Sequence, residues 1–358
     1  MSTAEPLDTA PSLNDRVEQA LRDFVGTASK QIAAVDDELV LLLDAASDFV
    51  LAGGKRLRPA FCYWGYRAVG GADSDAVVRA AASLELLHAC ALVHDDVIDG
   101  SDTRRGAPSA HRRFAAAHRE RGWARDADRF GGAAAILLGD LFLVWADTMI
   151  ATSGISERAW RSAREVYDTM RVELMAGQYL DVVEQVRGVG SVAGSLRVAR
   201  YKTATYTVER PLHLGAAIGD ATPEQTAGFS GFGLPLGEAF QLRDDMLGVF
   251  GDPAVTGKPA GDDLREGKRT VLVALAEEAA TPAQRAVLEH GLGNPSLTDV
   301  DVAELRGLIT DTGAADHVEL MIRSRLADAF AVLDGLDLAP EGRAALVDLA
   351  SAATDRSS

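Results

Sequence analysis

Two aspartate pairs stand at the ends of apolar stretches. Asp95-Asp96 is followed by Val97-Ile98-Asp99 within ALVHDDVIDGSDTRRG, and Asp244-Asp245 lies within FQLRDDMLGVFGD. An ionised carboxylate among apolar neighbours is costly to desolvate, so these flanks imply a cation that neutralises it. Oxygen-only ligands point to Mg²⁺, which is commonly held by one or two carboxylates with substrate phosphates completing its shell. Asp95 and Asp99 share one face of a helix, where together they can present metal to a phosphate. A DDxxD pattern is as often a solvated acidic helix end. Here, though, the residues behind Asp95 on that face (Ala91, His88, Leu87 and Leu84) are apolar except for the histidine. Carboxylates at the mouth of an apolar groove suit a ligand with an anionic head and a hydrocarbon tail.

Cations accompany both pairs. Arg104 and Arg105 follow the first, in Thr103-Arg104-Arg105-Gly106. Beside acidic residues they are ordinary ion-pair partners, but guanidinium geometry also matches a phosphate. Lys55, Arg56 and Arg58 lie in GGKRLRP at a helix start. Cations there oppose the helix dipole, whereas a bound anion is favoured. Beyond Gln241 and the second aspartate pair come Lys258 and Lys268, with Asp262-Asp263 between them. Lys202-Thr203, in RVARYKTATYTVERPL, is a polar pair within a helical stretch and would be unremarkable alone. The phosphate-loop pattern GxxxxGK[ST] does not occur, and the Gly-Gly pairs do not follow strands.

The elements that must position these residues read as helices almost throughout, with alanine and leucine dominating and alternating β-branched runs scarce. Residues 1–13 are polar and Pro-containing, an expected disordered arm, and 14–358 are expected to form a single all-α domain. Helical periodicity starts at an N-cap near Asn14 and runs towards Val50 with at most one break; Gly53-Gly54 stops it. Arg58-Pro59 opens the next helix, and Ser74 to Asp99 reads as one long helix. Residues 118–132 are expected to be a charged loop or a short insertion. Helices follow at about 133–151, 156–184, 195–219 and 223–250. Residues 251–269, rich in Gly, Pro and charge, read as a mobile active-site loop, and amphipathic helices fill 270–350.

Composition narrows the function classes. A chain of 358 residues with 47% hydrophobic content has ample material for a core. A net charge of −17 argues against nucleic acid as a partner and means that an anionic substrate depends on the local cation clusters. Two cysteines, Cys62 and Cys90, make no disulfide framework and fit a reducing cytoplasm. The first residues lack the pattern of a signal peptide. The most apolar stretch, GGAAAILLGDLFLVWADTMIA, is interrupted by Asp140 and Asp147, so no membrane span is expected.

Taken together, GGKRLRP, HDDVIDGSDTRRG, ILLGDLF, GQYLD, YKTA and GEAFQLRDDMLGVFGDPAVTGKPAGDDLREGKRT resemble the trans-isoprenyl diphosphate synthases, the polyprenyl synthetase family, in that family's order and over roughly residues 50–275. The resemblance implies the isoprenoid synthase fold, a helical bundle around a deep central cavity, usually as a homodimer. It implies that Asp95, Asp99 and Asp244 bind three Mg²⁺ ions that grip an allylic diphosphate, with Asp96 and Asp245 in support. Arg104, Lys202 and Lys258 would contact that diphosphate, with Lys268 also at the substrate. Lys55, Arg58, His88 and Arg105 would hold isopentenyl diphosphate, and Thr203 and Gln241 would face the developing carbocation. Such a cation needs a site that excludes water, and the released diphosphate is the expected proton acceptor.

Two departures from the family pattern stand out. Gly248 occupies the fifth position of the second aspartate motif, where many members have Asp, and Asp252 is the next aspartate along the chain. The end, ATDRSS, lacks a basic cluster that some members use to close the site. Positions 90 and 91, where the resemblance places the floor of the elongation cavity, hold Cys90 and Ala91. Both are small, which favours geranylgeranyl diphosphate over farnesyl diphosphate, with longer chains second; Leu87 and the Phe142–Trp145 stretch are the next floor. A terpene cyclase would share the metal motif but has no use for GGKRLRP, His88 and Arg105. A non-catalytic partner subunit would be expected to have lost its aspartates.

Overall fold

Local capping decides where the helices begin. The computed structural model describes residues 11–187, 190–252, 261–294 and 296–354. Helix α1 (Leu13–Ala33) is capped by Ser12, whose hydroxyl accepts from the Asp15 amide while the Asp15 carboxylate reaches back, so the cap lies two residues before Asn14. The expected break is a 3-10 turn at Asp37–Leu39, and α2 (Val40–Leu51) follows. Gly53 and Gly54, at φ 82° and 147°, reverse the chain, and Arg56 at φ 46° precedes α3 (Leu57–Ala68). Helix α4 (Asp75–Asp99) is the long helix read from the sequence and ends at Gly100 in the left-handed region.

After α4 the chain makes a two-stranded ribbon, β1 (Thr103–Arg104) paired with β2 (Ala107–Pro108), with Arg105 and Gly106 both at positive φ in the turn. Helix α5 (Ala110–Glu120) and helix α6 (Ala127–Ala151) leave only residues 121–126 between them, so the expected loop over 118–132 is largely helical. Asp126 caps α6 by accepting from the Arg129 amide, and Arg112 and Arg119 pair with Asp128. These charges are helix-end contacts rather than loop composition. Helix α7 (Glu157–Arg187) follows. The expected helix over 195–219 is three pieces: α8 (Val192–Val198), a π-helical segment (Ala199–Glu209) and α9 (Arg210–Ile218). Helix α10 (Pro223–Phe250) opens with a Thr222–Gln225 capping box. Part of the expected mobile loop is the short helix α11 (Asp262–Glu266), anchored by the fully buried Leu264; residues 253–260 lie outside the described residues. Helices α12 (Val271–Ala279), α13 (Pro282–Gly291), α14 (Asp299–Asp311), α15 (Ala314–Gly335) and α16 (Pro340–Thr354) complete the chain.

Three apolar clusters hold the bundle. The largest joins α1, α2, α4, α6 and α7; the second joins the C-terminal half of α10 to α12–α15; the third joins α3, α9, the N-terminal half of α10, α15 and α16. The cavity is lined by residues of the first and third clusters, among them Leu174, Tyr206, Leu57 and Phe240. Helices α4 and α6 are each long and apolar enough to cross a membrane, but 72% of the apolar window of α4 is buried, as in a core helix. In α6 the figure is 44%, because Ile136, Leu137 and Val144 face outward.

The π segment is pressed between two helices at glycines. A Cβ on Gly177 of α7 would overlap the Lys202 amide nitrogen, and one on Gly237 of α10 would overlap Ala204. Only hydrogen at these positions lets the backbone carrying Lys202 and Thr203 reach the cavity. Gly177→Ala is therefore expected to destabilise the protein by about 1–3 kcal/mol, the usual cost of overpacking, as measured by urea denaturation.

Candidate active site

One cavity of about 840 Å³ gathers most of the residues singled out from the sequence. Its wall includes Lys55, Arg58, His88, Ala91, Asp95, Arg104, Arg105, Lys202, Thr203, Gln241, Asp244, Asp245 and Lys268. They arrive from the start of α3, from α4, from the β1–β2 turn, from the π segment, from the end of α10 and from the loop before α12. Lys258 lies outside the described residues.

The first aspartate station divides its labour. Asp95 faces the cavity and accepts from Lys202 Nζ at 2.9 Å and from Gln178 Nε2 at 2.8 Å. Burial alone would raise its carboxyl, but Lys202, Lys268 and Arg104 outweigh burial and bring it to about 2. Asp96 turns away from the cavity. It is wholly buried and accepts from Arg104 Nε at 2.9 Å and from Arg104 Nη2, and that same Nη2 lies 3.9 Å from Asp95 Oδ2. The Asp99 side chain is 2% exposed and sits behind Lys268, whose Nζ is 3.6 Å away. Burial and the Asp95 charge raise its carboxyl above the ordinary range, and neither of its oxygens is hydrogen-bonded.

The second station ends α10. Gln241 donates to Asp245 Oδ1 at 2.6 Å. Burial raises the Asp245 carboxyl strongly, and the neighbouring Asp263 and Asp244 charges add to it. Lys268 lies between the stations, 3.7 Å from Asp263 and 2.7 Å from Glu266. Among the described residues no three metal-ligating side chains converge on one point. Asp95, Asp244 and Asp245 line the same cavity with the Lys202 and Lys268 ammonium groups, whereas Asp99 is not on its wall.

A second region has the opposite sign. Lys55 and Arg58 at the start of α3, Arg105 from the β1–β2 turn and His88 from α4 line the same cavity. Arg58 donates to Thr207 Oγ1 at 2.9 Å and lies 4.4 Å over the Tyr206 ring, while Arg105 donates to the Gly53 carbonyl at 3.0 Å. Burial, followed by the charges of Arg58, Arg105, Arg104 and Arg56, drives the His88 pKa well below its ordinary value, so the ring is neutral at pH 7. Arg56 also lines the cavity but is committed to partners within the fold: only 4% exposed, it donates to Glu18, to Glu85 at 2.6 Å and to the Val50 carbonyl. Its left-handed φ turns it inward, which a basic run in the sequence cannot reveal.

Other placements also differ from expectation. Ala91 is on the cavity wall with Leu92 and Leu174, but Cys90 and Leu87 are not. Cys90 is buried with Sγ 3.8 Å from His94 Nδ1, and Leu87 packs in the largest apolar cluster with Phe142 and Trp145. Each residue along α4 turns about 100°, and here that turn puts Ala91 and Leu92 on the cavity side and Cys90 on the side facing the core. Three polar partners were given no role from the sequence: Gln178, Asp181 and Glu85. Asp181 accepts from Lys202 Nζ at 2.6 Å and shares that ammonium with Asp95. GQYLD carries the first two at a spacing of one helical turn, a signal open to reading only when α7 is known to face α4.

A polyprenyl synthetase family model matches residues 40–309. A geranylfarnesyl diphosphate synthase of Aeropyrum pernix is 35% identical over 287 residues, covering 79% of this chain and 83% of its own. An octaprenyl diphosphate synthase of Escherichia coli is 30% identical over 346 residues, covering 95% and 97%. Among solved structures, a geranylgeranyl pyrophosphate synthase from Corynebacterium glutamicum, complexed with isoprenyl diphosphate and magnesium, superposes with a TM-score of 0.94 at 42% identity over 97% of this chain and 100% of that one. The chain belongs to the polyprenyl synthetase family, with the all-α isoprenoid synthase fold, and is a prenyltransferase.

The Lys202 ammonium is the shared counter-ion of Asp95 and Asp181. The pairing with Asp95 stabilises the fold above the ordinary aspartate pKa near 3.8 and is lost as pH falls through about 2. Lys202→Met should raise the Asp95 carboxyl in a ¹³C titration and cost on the order of 3 kcal/mol at pH 7, because it leaves buried carboxylates without their partner.

Proposed function

We propose that the protein condenses isopentenyl diphosphate head-to-tail with an allylic diphosphate, and that geranylgeranyl diphosphate is its principal product. The observation that carries this reading is one cavity lined by an aspartate–lysine region and by a separate cationic region, each suited to a diphosphate. Asp95, Asp99, Asp244, Lys202, Lys268 and Arg104 would hold the allylic diphosphate. Lys55, Arg58, His88 and Arg105 would hold isopentenyl diphosphate. Asp96 acts through Arg104 and Asp245 through Gln241, consistent with their burial. A cyclase, taking one diphosphate, gives no account of the second region.

The donor set fits magnesium. The ligands are carboxylate oxygens, and the two Asp99 oxygens are buried without hydrogen bonds. We infer three ions, held by Asp95, Asp99 and Asp244 and completed by diphosphate oxygens. Bound Mg²⁺ supplies Lewis acidity and neutralises charge on the leaving diphosphate. Arg104 and Lys202 donate to the same oxygens as charge builds on them. Thr203 and Gln241 direct oxygen dipoles at the allylic carbon, while Ala91, Leu92, Leu174 and Phe240 give it an apolar, water-poor wall. No strong base is assigned in the cavity; the departing diphosphate takes the proton.

The product follows from position 91. Ala91 is a small residue on the wall, so a growing chain passes it; the twenty-carbon product is also the one named for the Corynebacterium glutamicum structure. Relatives that make longer chains keep a longer product as the alternative. We further propose a homodimer through the outer faces of α6 and α7. Leu137 and Val144 on one, and Val172, Tyr179 and Val186 on the other, leave apolar side chains at least 60% exposed at helical spacing. The free, buried Cys62 and Cys90 are consistent with a reducing compartment such as the cytoplasm. The chain from residue 14 onward is taken as one domain.

Supplied with Mg²⁺, isopentenyl diphosphate and each allylic diphosphate in turn, the protein should form geranylgeranyl diphosphate by chromatography, and it should leave farnesyl diphosphate alone unconsumed. No condensation with any starter would refute the reading. Ala91→Phe should shorten the product to farnesyl diphosphate, and an unchanged product distribution would remove Ala91 from the floor.

A further inference from the structure

The cations on the cavity wall differ in what orients them. Arg56 is held by Glu18 and Glu85, Arg104 by Asp96, Lys202 by Asp95 and Asp181, and Lys268 by Glu266. Arg58 is held by neutral groups instead. Its Nη2 donates to Thr207 Oγ1 at 2.9 Å and its guanidinium lies 4.4 Å over the Tyr206 ring, with no carboxylate paired to it among the described residues. A carboxylate would orient a guanidinium but would also cancel the charge it offers to an anion. A hydroxyl and an aromatic face orient it and leave that charge intact. Two buried polar atoms at this place, Arg58 Nε and His88 Nδ1, have no hydrogen-bond partner among the described residues, and both residues are on the cavity wall. Leaving such atoms unpaired is costly, so an anion or a water bound there is favoured.

Thr207 itself is fully buried and is not on that wall. It reaches Arg58 from behind. The π segment makes this contact available. Lys202 and Thr207 are five residues apart, which a regular helix would turn about 140° from each other. The i→i+5 bonding of a π-helix turns less per residue, and this one segment brings Lys202 to Asp95 and Thr207 to Arg58.

We propose that Thr207 is a positioning residue for isopentenyl diphosphate. From behind the cavity wall its hydroxyl holds Arg58 against Tyr206, and it does so without neutralising the charge that binds the diphosphate. It touches neither substrate, and its only polar contact with the cavity wall is to the cationic region, so it acts on one of the two substrates alone.

This inference rests on reading Lys55, Arg58, His88 and Arg105 as the isopentenyl diphosphate site, and the test separates the two. Thr207→Val keeps the shape and removes the hydroxyl, whereas Thr207→Ser keeps the hydroxyl and removes a methyl group. Both variants and the wild type are titrated calorimetrically with isopentenyl diphosphate in the absence of metal, and with inorganic diphosphate in the presence of Mg²⁺. Thr207→Val should weaken isopentenyl diphosphate binding by about fivefold or more. Its Mg²⁺-dependent diphosphate binding should match the wild type. Thr207→Ser should bind isopentenyl diphosphate as the wild type does. In steady-state assays Thr207→Val should raise KM for isopentenyl diphosphate and leave KM for the allylic diphosphate unchanged. Wild-type affinity in Thr207→Val overturns the role of the hydroxyl. So does a loss in Thr207→Ser equal to that in Thr207→Val, or an equal loss of both ligands in Thr207→Val, since each of these marks packing rather than positioning. Absence of isopentenyl diphosphate binding in the wild type overturns the underlying reading of the cationic region instead.

Discussion

Everything at the centre of this molecule depends on keeping opposite charges neutralised in a space that is poorly solvated. Asp95 shares Lys202 with Asp181, Asp96 holds Arg104, and Asp99 faces Lys268, which also contacts Asp263 and Glu266. Removing any one of these charges strands its partner in a medium where stranding costs several kcal/mol. The same burial acts on both signs: it raises Asp99 and Asp245, and it lowers His88. The cavity therefore separates into an acidic half that tethered ammonium groups keep in balance and a cationic half with an excess of positive charge. On the proposed reading, metal ions complement the acidic half and a diphosphate the cationic half, which connects this electrostatic division to prenyl transfer.

Backbone irregularity is what makes the division achievable. A regular helix through residues 199–209 would hold Lys202 and Thr203 in a different register. The π segment widens the turn, and Gly177 and Gly237 let it sit against α7 and α10. The β1–β2 turn does similar work for Arg104 and Arg105. Two consecutive positive-φ residues send neighbouring side chains to different places: Arg104 back to Asp96, Arg105 across to the Gly53 carbonyl. In the GGKRLRP segment Lys55, Arg56 and Arg58 all line the cavity, but the left-handed Arg56 alone is pinned by Glu18 and Glu85. In each case adjacent residues of one charge part company because the backbone, not the side-chain type, sets their direction.

The relatives differ in the length of chain they make, from the geranylgeranyl and geranylfarnesyl products to the octaprenyl one, on what is recognisably one scaffold. On the proposed reading, product length varies without disturbing the diphosphate chemistry because the two are built from different layers of α4. Asp95 and Asp99 lie at its C-terminal end, whereas Ala91 lies one turn back, where the wall is apolar. Packing behind that wall, by Leu87, Phe142 and Trp145, belongs to the largest apolar cluster, so a change there alters depth and core stability together.

Much was legible from the chain alone. Periodicity and caps located most helices, because those signals act within a few residues. Carboxylates and cations at the ends of apolar runs marked a diphosphate-type chemistry, because burying them otherwise is costly. What failed was also local in origin. Residues 118–132 carry the charge of a loop yet are mostly helix, and Cys90 and Ala91 are neighbours in sequence yet face different surroundings. The partners across the cavity were hidden. Gln178 and Asp181 serve Asp95 and Lys202 from another helix, Glu85 neutralises Arg56, and Asp263 stands in the space left by Gly248. The sequence by itself determined which residues need a charged partner, since that need follows from residue type and neighbours. Only the tertiary structure decided who the partner is, since contacts between residues dozens of positions apart depend on how helices pack, and no local pattern encodes that.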